Sequence, residues 1–238
     1  TLGYQWNTNT LVLDGVETNL FVKDNFIQEA SIATGEVLFQ WGSWGNVSYE
    51  DSKYPNPADY AHFNWVAEDF DGNPLVSARG TSQVIKIDKA NGSVIWRLGG
   101  AASDFVFVDD PLNGFGGQHS PHRIPNGNIL IFDNRNFVST NAVLPSEGPS
   151  RVVEYRLDEE EETATLVWSY AREGYHSTSE GGAQRMENGN TFITWGKNTA
   201  TAMTEVDAAG NILQDIAMTD QTGAKLLGYH SYKVRRDA

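Results

Sequence analysis

The chain has 238 residues, 39% of them hydrophobic and 11% aromatic, which is enough apolar surface to bury a core and excludes a disordered polypeptide. Its formal charge of −14 at pH 7 excludes a nucleic-acid backbone or an anionic membrane as partner, because either needs a clustered basic face. The lack of cysteine removes disulfides, thiolate metal sites and a cysteine nucleophile, and no run of about 18 apolar residues suggests membrane insertion. Many Trp, Tyr and Phe spread among 23 Gly fit short strands joined by turns, so the expected class is all-β.

In chain order, an amino-terminal unit is expected to supply strands over Leu11–Asp14, Leu20–Lys23, Phe26–Ile32 and Gly35–Trp41. Thr1–Trp6 lacks the charged and apolar regions of a signal peptide, so the chain starts as though already inside a domain. A second unit has strands over His62–Glu68, Leu75–Arg79, Gln83–Asp88 and Ser93–Leu98, with a two-residue hairpin loop expected at Asp71-Gly72-Asn73. The third has Gln118–Ile124, Asn128–Asp133, Arg151–Asp158 and Ala164–Ser169, interrupted by an insertion over Asn134–Pro149 of a length often tied to function. The fourth has Ala183–Met186, Thr191–Trp195, Met203–Asp207 and Asn211–Ala217, and Leu227–Arg235 reads as one more first strand. Units of roughly fifty to sixty residues, each built on a Gly-Asn turn, fall in the size range of propeller blades. The expected architecture is therefore a β-propeller of four-stranded antiparallel blades, about four to six in number and either complete or incomplete within this chain, with 1–238 forming a single propeller domain or the larger part of one. The leftover strand suggests closure from the other terminus, self-association, or a companion chain that completes the ring.

First strands of propeller blades line the central channel, so equivalent residues of different units converge there. Registering Val66, Ile124, Met186 and Val234 places Asn64, His122, Gln184 and Tyr232 in one column and His62, Ser120, Gly182 and His230 in another, both on one face by strand alternation. Four of the five histidines lie on first strands, and His176 lies just before one. His119 and His122 fall on opposite faces of their strand, and carboxylates are scarce in the columns, so no metal is expected there. Arg79, Arg123, Arg135, Arg151 and Arg185 lie in or beside the strands and could gather to hold a small anion.

In combination, Ala61-His62-Phe63-Asn64-Trp65-Val66, Leu75–Arg79, Val84–Asp88 through Val94–Gly100, Gln118-His119, Pro125–Asn134, Ser150–Tyr155, and Gln184–Met186 through Trp195-Gly196 resemble the arylsulfotransferases, propellers that use no nucleotide sulfate donor. The resemblance covers residues about 30 to 236 and implies ping-pong transfer of a sulfuryl group from a phenolic sulfate to a phenol through a sulfated histidine, without a cofactor. It further implies that His62, His119 and His122 are the catalytic imidazoles and that Arg135 and Arg151 clamp the sulfate oxygens, since a planar guanidinium suits an oxyanion. Asn64, Arg79, Gln184 and His230 would bind a small anionic aromatic substrate, with Trp65 and Trp195 as a wall around the phenol. Gly196–Ala200 contains no histidine where the family's sulfated residue lies, which leaves His122, His176 or His230 to replace it. The implied location is extracellular or periplasmic.

Two rival readings accompany this one. A non-catalytic propeller would bind a ligand or protein or assemble into a larger structure, and the missing histidine favours it. A quinoprotein-dehydrogenase-like propeller is suggested by Val84–Trp96 and would require a quinone and calcium. The acidic run Asp158–Glu162 and the turn Asp69–Asn73 read as solvated turns. Trp41, Trp96 and Trp168, at the ends of fourth strands, read as packing residues between blades.

Overall fold

The computed structural model describes residues 1–13, 15–54, 56–136, 148–197, 202–219 and 221–222. Four sheets follow one another along the chain. The first contains β1 (Leu2–Leu13), β2 (Val16–Ala30) and β3 (Val37–Gly42). In the second, β4 (Phe63–Glu68), β5 (Pro74–Ala78), β6 (Gln83–Ile87) and β7 (Val94–Leu98) run in sequence order as an antiparallel meander. Next comes β8 (Val106–Val108), which adds in parallel to the outer edge of the third sheet, formed by β9 (His119–Arg123), β10 (Ile129–Asp133), β11 (Arg151–Asp158) and β12 (Thr163–Ala171). The fourth comprises β13 (Gly182–Arg185), β14 (Thr191–Thr194), β15 (Met203–Val206) and β16 (Ile212–Ile216). The all-β class is as expected, as are the four antiparallel strands of the second and fourth sheets and, β8 aside, of the third, and among the described residues the sheets do not close into a ring. Leu227–Arg235 and most of the insertion lie outside the described residues.

Two expectations are corrected. The amino-terminal unit has three strands rather than four, because residues 20–23 and 26–32 belong largely to one long strand, β2, paired with β1 from Leu2↔Ile27 to Leu13↔Val16. The inner hairpins carry three-residue loops, not two. Ile124 N–H donates to the Asn128 carbonyl while Gly127 N–H returns to the Ile124 carbonyl, and the same pair of bonds closes Asp69–Asn73 and Met186–Asn190. Gly72, Gly127 and Gly189 sit at φ of 83, 88 and 85°, where a Cβ would be strained, which explains the recurring glycine.

Neighbouring sheets are tied by recurrent devices. Arg123, at the end of β9, forms a two-pronged ion pair with Asp69 beyond β4, and Arg185, at the end of β13, reaches Glu154 on β11. Trp41 Nε1 donates to the Gly92 carbonyl of the second sheet, and Trp168 Nε1 to the Ala208 carbonyl of the fourth. Between the sheets lie layers of fully buried side chains, among them Leu75, Ile85, Ile129, Ile131, Phe132 and Tyr155. Each contributes about 1.5–3 kcal/mol through burial.

Candidate functional site

Where the first strand begins and the second ends, the second, third and fourth sheets form a rim that carries His62 and His119 and is crossed by hydrogen bonds from Arg79 to Thr178 and from Asn134 to Glu180. His62 directly precedes β4 with φ of 44°, an unusual conformation for a residue other than glycine. Its backbone carbonyl accepts from Arg79 N–H, which fixes it beside the end of β5. A short turn, Pro57–Asp59, begins with Asn56 capping the Ala58 N–H and carries Asp59 beneath the imidazole. Asp59 Oδ2 lies 2.7 Å from His62 Nδ1 and 3.3 Å from Lys23 Nζ, and Oδ1 accepts from Asn25 Nδ2 at 3.4 Å.

Burial raises the Asp59 pKa, but the hydrogen bond and charge of His62, together with Lys23, more than offset it and hold the carboxyl below its ordinary value. A carboxylate only accepts, so Nδ1 carries the proton and the lone pair of the neutral ring lies on Nε2. The Tyr54 ring packs on the imidazole with centroids 4.5 Å apart, and the Arg79 guanidinium lies 5.1 Å from the Tyr54 ring centre. His62 also lines an open recess of about 440 Å³ with Leu2, Phe63, Asn64 and Trp65.

His119, first residue of β9, is used differently. It is buried, its Nδ1 lies 2.7 Å from Asn134 Oδ1, and its Nε2 accepts the Glu180 backbone N–H at 3.1 Å. The donor at Nε2 defines the tautomer, so this lone pair is already engaged. Burial, reinforced by the charges of Arg79 and His62 against the Asn134 hydrogen bond, lowers the His119 pKa to about 3, so the ring is neutral. Asn134 Nδ2 in turn donates to the carbonyls of Ser177 and Glu180, binding the end of β10 to the segment before β13.

The remaining expected residues fall into three places. Arg79 and Arg135 are at the rim: Arg79 donates to the Thr178 carbonyl at 3.1 Å, the same carbonyl that accepts from Asn136, and Arg135 has φ of 59° and packs its guanidinium on Gly148. His176 joins this group through Nδ1, 3.0 Å from the Gly148 carbonyl. Asn64, His122 and Gln184 lie further along the first strands, where Asn64 donates to the Gln118 carbonyl and His122 Nδ1 lies 2.8 Å from the Ser120 carbonyl. The expected register holds between the third and fourth sheets, where His122 and Gln184 pair with the equivalent Leu130 and Phe192, but in the second sheet Ala67 rather than Asn64 takes that place, opposite Leu75, because the hairpin turn there begins at Asp69.

Arg151 and Trp195 are held inside the fold. Arg151 bonds Asp133, both oxygens of Asp110 and the Gly114 carbonyl, and Tyr155 adds a hydroxyl to Asp110, so this guanidinium serves a buried ion network rather than an open anion site. Trp195 is fully buried against Phe132, Tyr170 and Tyr175, and its Nε1 donates to Thr204 Oγ1; it is a core residue and not the phenol wall expected of it. Trp65 does line the recess with His62. His230 lies outside the described residues.

The sequence reading did not nominate Asp59, Tyr54 or Asn134. Asp59 had a signal in its Asp-x-x-His spacing to His62 after a proline-initiated turn, and Asn134 directly follows the apolar second strand of its unit. Among the described residues no group of three or more His, Asp or Glu side chains is placed to hold a metal ion.

A structure from Bacteroides caccae of a protein of unknown function is similar in fold, with 18% identity over 90% of this chain and 67% of its own, at a TM-score of 0.52. Two structures of virginiamycin B lyase from Staphylococcus aureus align at TM-scores of 0.44, with 14% and 12% identity over 90% and 94% of this chain. The chain spans 59% and 62% of the length of those two lyase structures. Among curated proteins no sequence matches. The sequence model described as arylsulfotransferase (ASST) matches residues 3–219, nearly the whole chain, and the protein therefore belongs to the arylsulfotransferase family.

Proposed function

We propose that the chain transfers a sulfuryl group from an aryl sulfate to a phenol, with His62 as the nucleophile at the rim. The observation that carries this reading is the Asp59–His62 pair, which directs the His62 lone pair to Nε2 while the neighbouring His119 has its own lone pair engaged. In the first half-reaction Nε2 attacks sulfur, the bond from sulfur to the aryl oxygen breaks, and the phenoxide departs with that electron pair. Nδ1 keeps its proton against Asp59, so the cationic N-sulfo-imidazole is balanced by a carboxylate. In the second half-reaction an acceptor phenol oxygen attacks sulfur, its proton passes to solvent, and the pair returns to Nε2.

Arg79, whose guanidinium lies 5.1 Å from the Tyr54 ring that packs on His62, supplies positive charge for the sulfate oxygens. His119 and Asn134 act as positioning residues that fix the rim. The test is release of nitrophenolate from p-nitrophenyl sulfate with several phenols as acceptors, using the folded chain beside His62→Ala. Turnover in the wild type that disappears in the variant supports the reading, whereas a folded wild type without turnover removes it.

A further inference from the structure

The first sheet carries an exposed aromatic surface that faces the same carboxylate as His62. Strand alternation puts Leu2, Tyr4 and Trp6 on one face of β1, and the register Tyr4↔Asn25, Trp6↔Lys23 and Thr8↔Phe21 puts Asn25, Lys23 and Phe21 on the same face of β2. Lys23 and Asn25 both reach Asp59, so this face abuts the Asp59–His62 pair. Leu2 borders the recess that His62 lines, and Tyr4 and Trp6 extend outward from it. Trp6 stacks on Phe21 with centroids 5.0 Å apart, and Lys23 Nζ lies 4.7 Å from the Tyr4 ring centre and 5.7 Å from that of Trp6.

Tyr4, Trp6 and Phe21 are 57, 45 and 62% exposed and touch ring to ring, an exposed aromatic cluster beside the recess. An aromatic shelf with a cation at its foot, in a chain of net charge −14, complements a ligand that is aromatic at one end and anionic at the other.

We propose that the β1–β2 hairpin is the aryl-recognition element of the site, with the first ring of an aryl sulfate in the recess of Leu2, Phe63 and Trp65 and further rings on Tyr4 and Trp6. The selected substrates are accordingly aryl sulfates of more than one ring. This rests on the proposed sulfuryl transfer for the reacting group, and on the hairpin's geometry for the shelf.

The experiment compares 4-methylumbelliferyl sulfate, which has two fused rings, with p-nitrophenyl sulfate on the full chain and on its Trp6→Ala and Tyr4→Ala variants. KM for the two-ring sulfate should rise about fivefold in each variant with kcat little changed, as expected for loss of one stacking partner, and KM for the one-ring sulfate should rise less. Equal KM values in wild type and both variants, with turnover intact, would overturn the shelf and leave the transfer reading standing. If the wild type turns over neither sulfate, quenching of tryptophan fluorescence by 4-methylumbelliferyl sulfate decides: saturable quenching weakened by Tyr4→Ala supports the shelf without the chemistry, and none overturns it. Sedimentation of wild type and Trp6→Ala tests the other occupant, since a dimer abolished by the substitution would assign the shelf to a second copy and overturn the proposal.

Discussion

His62 and His119 open the first strands of adjacent sheets, yet their surroundings give them opposite chemistry. His62 is half-buried, holds a carboxylate on Nδ1 and lines a recess, while His119 is buried, holds an amide oxygen on Nδ1 and accepts a backbone N–H on Nε2. The lesson is that a residue type recurring at the same end of neighbouring sheets does not carry a role with it. The partners of the ring decide whether it is a reactive base or a structural joint.

The comparison can be broken most directly by deletion. His62→Ala is expected to reduce sulfuryl transfer by at least about 10³-fold, measured as nitrophenolate release, with the melting temperature little changed. His119→Ala should instead unfold more easily, by about 3 kcal/mol in denaturant titration, because it opens a cavity and strips Asn134 and the Glu180 N–H of a buried partner.

A finer test uses pH. Unfolded His119 takes up a proton near pH 6.5 whereas the folded ring resists it until about pH 3, so between those values the unfolded chain binds more protons. The stability due to His119 is therefore complete above pH 6.5 and declines as pH falls, at up to roughly 1.4 kcal/mol per pH unit. Asp59, whose pKa is lowered in the folded state, loses its contribution only at more acidic pH, below its unfolded value. A His119→Gln variant should show a flatter stability profile between pH 6.5 and 3 than the wild type, and an unchanged slope would contradict the assignment.

The smallest expected effect comes from exchanging the partners. Asn134→Asp should raise the His119 pKa toward the ordinary range, seen in the titration of its imidazole resonances, while Asp59→Asn should lower transfer about 10- to 100-fold with KM little altered.

Much of the fold was legible because turn chemistry is local. The glycines at 72, 127 and 189 punctuate alternating apolar strands and mark the first hairpin of the second, third and fourth sheets. The first sheet was misread because Lys23-Asp24-Asn25 interrupts the apolar alternation and looks like a break. In the fold these polar residues have distant partners: Asp24 accepts from Ser43 and Trp44, and Asn25 accepts the Phe63 N–H. β8 was invisible because three residues that add in parallel to a distant edge leave no pattern.

At the site, His62 and His119 were legible as histidines at the start of first strands, and Arg79 and Arg135 as arginines in or beside the strands. Trp195 and Arg151 were misjudged because burial and ion pairing are long-range properties: the carboxylate Asp110, which holds Arg151, lies in a connection far from it in sequence. Asp59 escaped for a different reason, since its Asp-x-x-His spacing to His62 is local but lies in a turn outside the apolar strand pattern.

The central claim is that His62, and not His119, carries the sulfuryl group. The direct measurement is to mix the folded chain with p-nitrophenyl sulfate in the absence of acceptor, quench under alkaline conditions and map the modified peptide by mass spectrometry. A sulfuryl group on the peptide containing His62, absent from His62→Ala, is the predicted result. A sulfuryl group on the peptide containing His119, His122 or His176 would contradict it.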